Sequence, residues 1–247
     1  MRALGKLIAY QMKLYLREPI ALFFTLVYAP MMLVLFGSIY GNEPSEMFGG
    51  LGTVDVSVPA YIGLIILTVG LMSIPIGTAS SRESGVLRRF RVTPLSPAVY
   101  LVSDVAVYFL MTLLGVGLLV LVGKFGYGMR FDGNWASVLA GFSLSSLAVF
   151  ACGYLIAGIA PTARIAQTAG MVIAFPMMFL SGATMPLQVL PESVRTVSRF
   201  LPVTYVVKLM QGLWKGDSWS AHGIEVAVLF AVLAVGVILA ARTFRWE

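Results

Sequence analysis

Charge is what this sequence has least of. Only 11% of its 247 residues are Asp, Glu, Lys or Arg, and 59% are hydrophobic. Soluble domains carry about 25% charged residues, so a soluble globular fold is excluded and an all-α integral membrane protein is the expectation. Cysteine is nearly absent as well. The single Cys152, in the apolar run around Phe150 and Tyr154, excludes a disulfide framework and a cysteine metal site, and reads as a small packing residue. A single histidine, His222, excludes a multi-histidine metal centre, so no metal site is expected. No GxxxxGK pattern followed by Ser or Thr occurs, so the chain has no P-loop of its own for ATP. The net charge of +6 sits mostly at the ends of apolar stretches, where membrane topology accounts for it without nucleic acid.

Six apolar stretches approach the ~20 residues a bilayer requires: 20–40, 59–80, 98–123, 135–160, 166–184 and 224–241. Pro75 predicts a kink in the second. Gly141 with Ser145, and Gly153 with Ala157, predict close helix contact in the fourth. Residues 1–19 read as an interfacial helix and not as a cleavable signal. Arg2, Lys6, Lys13 and Arg17 fall within roughly 60° of arc, opposite Leu4, Leu7, Ile8, Met12 and Tyr15. The loop 41–58 has Glu43, Glu46 and Asp55 but no Lys or Arg, which suits the outside. Residues 185–223 are too polar to span and too apolar for an ordinary loop. Two helical pieces, 192–200 and 203–214, flank Leu201 and Pro202 and read as an outer re-entrant hairpin. Lys and Arg at the remaining span ends put both termini in the cytoplasm.

One segment is dense in charge. Residues 80–97 read SSRESGVLRRFRVTPLSP and lie between two membrane stretches, so they must protrude into water. Helix-forming residues run up to Pro94, which disfavours helix at Thr93. A short amphipathic helix over 80–90, within a coupling segment 81–97 and offered to another protein through Glu83 and the arginines, is the expectation.

These residues resemble the permeases of ABC-2 type transporters. Arg82, Glu83, Gly85 and Leu87, with Thr93 and Pro94 downstream, match that family's cytosolic coupling motif. The run Phe179, Leu180, Ser181, Gly182, Ala183, Thr184, Met185, Pro186, then Pro191, Pro202 and Tyr205, is similar to its second signature, at the fifth span and hairpin. Together they cover essentially the whole chain, and the nearest likeness is to small drug- and antibiotic-efflux permeases of the daunorubicin-resistance type. Two departures stand out: Arg88 and Arg89 where members often carry an acid, and Ser103 and Asp104 where they often carry a base.

The resemblance implies a six-span, type V exporter-like subunit in the cell (inner) membrane. It would move a hydrophobic or amphipathic substrate outward by alternating access. A second copy or a homologue would complete the pathway, and two separate ATPase subunits would bind ATP and Mg. It further implies that Arg82, Glu83, Gly85, Leu87, Arg88, Arg89, Thr93 and Pro94 couple to the ATPase. Because the family places spans one and five at the dimer centre, Phe24, Tyr28, Met31, Met171, Phe175, Met178 and Phe179 are candidates for the pathway; adaptable Met and aromatic side chains suit a greasy substrate.

Three other readings stand beside this one. Asp104 could carry protons or bind a cation in an ion-coupled secondary transporter; alternatively it pairs with Arg88, Arg89 or Arg91. Glu225 reads as a hydrated interface residue. Ser181 and His222 could imitate an intramembrane protease dyad, but Phe179 stands where the rhomboid Gly-x-Ser-Gly pattern needs glycine.

Overall fold

The computed structural model describes residues 2–86, 97–184, 187 and 191–243. Among them the structure is helical, with one isolated antiparallel bridge, Ser45 to Leu51. The helices are α1 (Arg2–Tyr15), α2 (Pro19–Tyr40), α3 (Thr53–Glu83), α4 (Pro97–Tyr127), α5 (Trp135–Ile159), α6 (Ala163–Leu180), α7 (Glu192–Ser198), α8 (Pro202–Lys215) and α9 (Gly223–Thr243). Six of the described helices are long and apolar enough to cross a membrane. The chain is an all-α integral membrane protein.

Helix α3 forms the centre. Residues 58–76 contain no charged side chain, so no face of the helix seeks water, and such a helix is stable only when surrounded. It packs against α2, α4, α5, α6 and α8, with Ile62, Leu64, Ile65, Ile66, Leu67 and Val69 fully buried. In its apolar window 89% of residues are buried, against 11% for the last span.

Wide π turns interrupt α2 at Phe23–Val27 and α3 at Val69–Ser73. Pro30 and Pro75 follow within a turn. Each lacks an N–H, and its ring crowds the carbonyl four residues back, so the ladder shifts locally to five-residue bonds. These are Tyr28 N–H to Phe23 O and Ile74 N–H to Val69 O. The kink expected from Pro75 thus takes the form of a widened turn. It is also the point of closest approach to the neighbours. A Cβ on Gly153 of α5 would overlap the Gly70 carbonyl oxygen, and one on Gly170 of α6 would overlap that of Leu71.

The polar connector after α6 becomes core in its second arm. Val203, Val206, Val207, Met210, Leu213 and Trp214 repeat at helical spacing and are buried, and α8 packs against α3, α5 and α9. The first arm, α7, is largely exposed. Helix α1 packs on α4 through Leu7, Gln11 and Tyr15, spaced four apart.

Candidate functional site: a charged clasp at one end of the bundle

The charged motif begins inside α3. Residues 80–83 are the last turn of α3 itself. That helix ends at Gly85, whose φ of 71° lies in the left-handed region that residues with a Cβ avoid, and whose N–H bonds the Arg82 carbonyl at 3.0 Å. Arg82 and Glu83, expected to face a partner, also bind a turn of their own chain. Arg82 donates to the carbonyls of Ala157, at 3.1 Å, and Ala160. Glu83 accepts from the N–H of Ala163 at 3.1 Å.

Those contacts have a common logic. Ala157 and Ala160 lie at the C-terminal end of α5, where carbonyls lack helical partners and the dipole is negative. Ala163 opens α6, where N–H groups are unpaired and the dipole is positive. A guanidinium on the first and a carboxylate on the second clasp the α5–α6 turn from both sides. Pro161 lies within that turn, and the Thr162 hydroxyl caps α6 by accepting from Ile165 N–H at 3.2 Å. Gly85 has open space where a Cβ would stand. Leu87, Arg88, Arg89, Thr93 and Pro94 lie outside the described residues.

The pathway candidates divide. Met31, Phe175 and Phe179 are exposed on α2 and α6, while Phe24, Tyr28 and Met171 are half-buried. Phe24 and Tyr28 rings stand 5.4 Å apart, and Phe24 and Met171 share a cavity of about 290 Å3. Met178 is a correction, because it is buried inside the bundle, where Tyr28 donates to its sulfur at 3.6 Å. Of the second signature, Ser181 is fully buried and accepts from Ala183 N–H at 3.3 Å, and Gly182 takes a φ of 87°. Pro191 and Pro202 precede or open α7 and α8, and Tyr205 donates to Arg199 O at 2.7 Å. Pro186 lies outside the described residues. His222 meets Asp217 at 3.2 Å and Glu225 at 3.7 Å, not Ser181, so the protease dyad has no geometry.

Asp104 is 8% exposed, and one of its oxygens accepts from the Tyr154 hydroxyl at 2.8 Å. No arginine pairs with it among the described residues, and Arg88, Arg89 and Arg91 fall outside them. Two sites escaped the sequence reading. Gln11 is buried on the apolar side of α1, legible only as a polar residue midway between Leu7 and Tyr15. At the opposite end, Asp55 is 3% exposed and accepts from Asn42 Nδ2 at 3.1 Å, Gly52 N–H at 3.2 Å and Arg130 N–H at 2.8 Å. Asn42 Oδ1 in turn accepts the N–H groups of Val54 and Asp55, at 3.1 and 3.2 Å. The signal for Asp55 was an acid three residues into a helix after a glycine cap.

Residues 2–213 match the family model described as ABC-2 type transporter. The chain belongs to the ABC-2 type transporter family. Similar proteins include the inner membrane transport permease YhhJ of Escherichia coli, 26% identical over 195 residues, covering 76% of this chain and 52% of YhhJ. Nodulation protein J of Rhizobium meliloti is 24% identical over 233 residues, covering 86% and 87% of the two chains. The probable multidrug ABC transporter permease YbhS of E. coli is 24% identical over 158 residues, covering 64% and 42%. This chain thus spans about half the length of YhhJ. It is a multi-pass membrane protein of this family.

Proposed function

We propose that this ABC-2 permease exports a hydrophobic or amphipathic compound, driven by two separate ATPase subunits that dock at the end of the bundle carrying Arg82, Glu83 and Gly85. In this reading that end and both termini face the cytoplasm, ATP and Mg are bound by the partner subunits, and a second permease copy or a homologue completes the pathway. The observation that carries it is the clasp. A lever must be attached to what it moves, and α3 holds the α5–α6 turn through charge-assisted bonds to two helix ends, each of a kind about twice as strong as a neutral hydrogen bond. Movement imposed just beyond Gly85 then shifts α3, α5 and α6 together, which supports alternating access driven from that end.

A specific observation favours one second reading. Asp104 is buried in a span with a tyrosine as its described partner, a setting typical of proton or cation carriers. Co-reconstitution of permease and ATPase in vesicles separates the two. ATP-driven export requires ATP, persists when the pH gradient is collapsed, and falls only modestly in Asp104→Asn. Ion coupling predicts transport by this chain alone, abolished both by an uncoupler and by Asp104→Asn, because asparagine cannot release a proton.

A further inference from the structure

Helix α3 is two segments joined at its π turn, and their surroundings differ. In the core segment, 62–69, every residue is buried among the helices packed around it. In the clasp segment, 74–83, Ile76, Gly77, Ser81 and Arg82 are half-buried, and Ser80 and Glu83 are exposed. Two cavities of about 290 Å3 each border the clasp segment. One meets Gly77, Ser80 and Ser81 from the side of α1 and α4, and the other meets Ile76 from the side of α2 and α6. The clasp segment has room beside it, and the core segment is enclosed.

The turn between them sits on glycine. Pro75 offers no N–H to Leu71, four residues back, or to Gly70, five back. The carbonyls of those two residues are the ones that reach neighbouring helices, Gly70 O against Gly153 of α5 and Leu71 O against Gly170 of α6. Helix α2 repeats the arrangement. Pro30 withholds its N–H from Leu26 and Thr25, and the Thr25 carbonyl lies against Gly115 of α4. Each time, a carbonyl denied the proline's N–H faces a glycine Cα, whose C–H offers a weak substitute bond and whose bare surface admits the approach. A glycine also presents no ridge to interlock with the opposing helix, so such a contact can turn where interdigitated side chains resist.

At its other end the clasp segment is tied to the α5–α6 turn, by Arg82 to Ala157 and Ala160 and by Glu83 to Ala163. Between turn and clasp, Ala79, Ala160 and Ala166 pack together. The clasp segment and the adjoining ends of α5 and α6 therefore form one block, seated at Gly153 and Gly170.

We infer that Pro75, Gly153 and Gly170 are positioning residues that make the π turn of α3 a pivot. About it, the block of residues 74–83, 154–160 and 163–169 tilts toward α1, α2 and α4, against a fixed core segment. The part this plays in transport rests on the reading that the ATPase pushes at the clasp; the pivot itself does not.

The test pairs Tyr10→Cys with Ser80→Cys, both lining the first cavity, in a Cys152→Ser background. In the isolated full-length permease, bismaleimides of short and of long reach should both bridge this pair, because the block samples a range of tilts. Pro75→Ala returns an N–H to the ladder, so it should raise the thermal unfolding midpoint and leave a single reach productive. In the transporter assembled with its ATPase, ATP and vanadate should shift bridging from one reach to the other. That shift should survive a disulfide formed between Ala79→Cys and Ala166→Cys, which lies inside the block. It should vanish in Pro75→Ala while ATP hydrolysis continues. A single productive reach in the otherwise unaltered isolated chain, a spread that Pro75→Ala leaves unchanged, or a shift abolished by the 79–166 disulfide overturns the pivot. A spread narrowed by Pro75→Ala in the isolated chain, with no response to ATP and vanadate, upholds the pivot and overturns the reading that the ATPase pushes at the clasp.

Discussion

The two ends of this permease handle buried polarity in opposite ways. At the hairpin end, Asn42 and Asp55 satisfy one another and the backbone of three segments. Nearby, Trp214 donates to the Arg130 carbonyl at 3.2 Å and packs with Phe131 and Trp135. Among the described residues each of these polar groups has a partner, so the end is closed. At the clasp end, Asp104 has one hydrogen bond among the described residues, from Tyr154, two cavities adjoin, and burial pushes the Glu18 carboxyl above its ordinary range. Saturated polarity holds helices in one arrangement. Unsaturated polarity and open cavities leave room for movement, and here two cavities adjoin Arg17 and Glu18 near the clasp.

Substitutions at the two ends should differ in kind, and their sizes form a ladder. The largest effect is expected at the closed end. Asp55→Ala strands the N–H groups of Gly52 and Arg130 and removes one of the two acceptors of the Asn42 amide, the other being the Tyr127 carbonyl at 3.3 Å, and should cost about 3 kcal/mol or more, read as a lower thermal unfolding midpoint in detergent. At the clasp end, Arg82→Ala should cost only about 1–2 kcal/mol, because helix-end carbonyls can recruit water. Its main consequence should be loss of ATPase stimulation in the reconstituted complex with the folded chain retained. An Arg82→Ala chain as unstable as Asp55→Ala would erase the distinction between the ends.

Smaller steps sharpen it. Gly85→Ala should cost about 1 kcal/mol, from forcing a Cβ into the left-handed region. Open space around Gly85 means that the cost is conformational and should appear equally in the isolated permease and in the complex. Glu83→Gln should be milder still, about 0.3–1 kcal/mol, since this carboxylate is exposed and solvent screens its interaction with the α6 N-terminus. Raised salt should reduce the Glu83→Gln difference and leave the Gly85→Ala difference unchanged, as unfolding curves at two ionic strengths would show.

The spans were legible because an apolar run of bilayer length admits few alternatives, whereas the centrality of α3 emerged only from its packing. The proline effects were legible in place but not in form, since Pro30 and Pro75 announce a defect while the ladder decides whether it is a kink or a wide turn. The orientation of Arg82 and Glu83 was not legible. Their partners lie some 75–80 residues away in sequence, and a charged helix end looks the same whether it meets solvent, another protein or a turn of its own chain. Met178 was misplaced for a related reason, because hydropathy reports that a side chain avoids water without saying whether lipid or protein replaces it. Gln11 was hidden by the rule that one polar residue on an apolar face is a minor exception.

The docking end is the claim on which the functional reading rests. Ser84, beside the clasp, and Ser218, beyond the hairpin, are both exposed. A photo-activatable crosslinking residue placed at position 84 or at position 218 of the assembled transporter tests them side by side. The account predicts a covalent adduct with the ATPase subunit from position 84 and none from position 218. An adduct from position 218, or none from position 84 in a complex that still hydrolyses ATP, would contradict it.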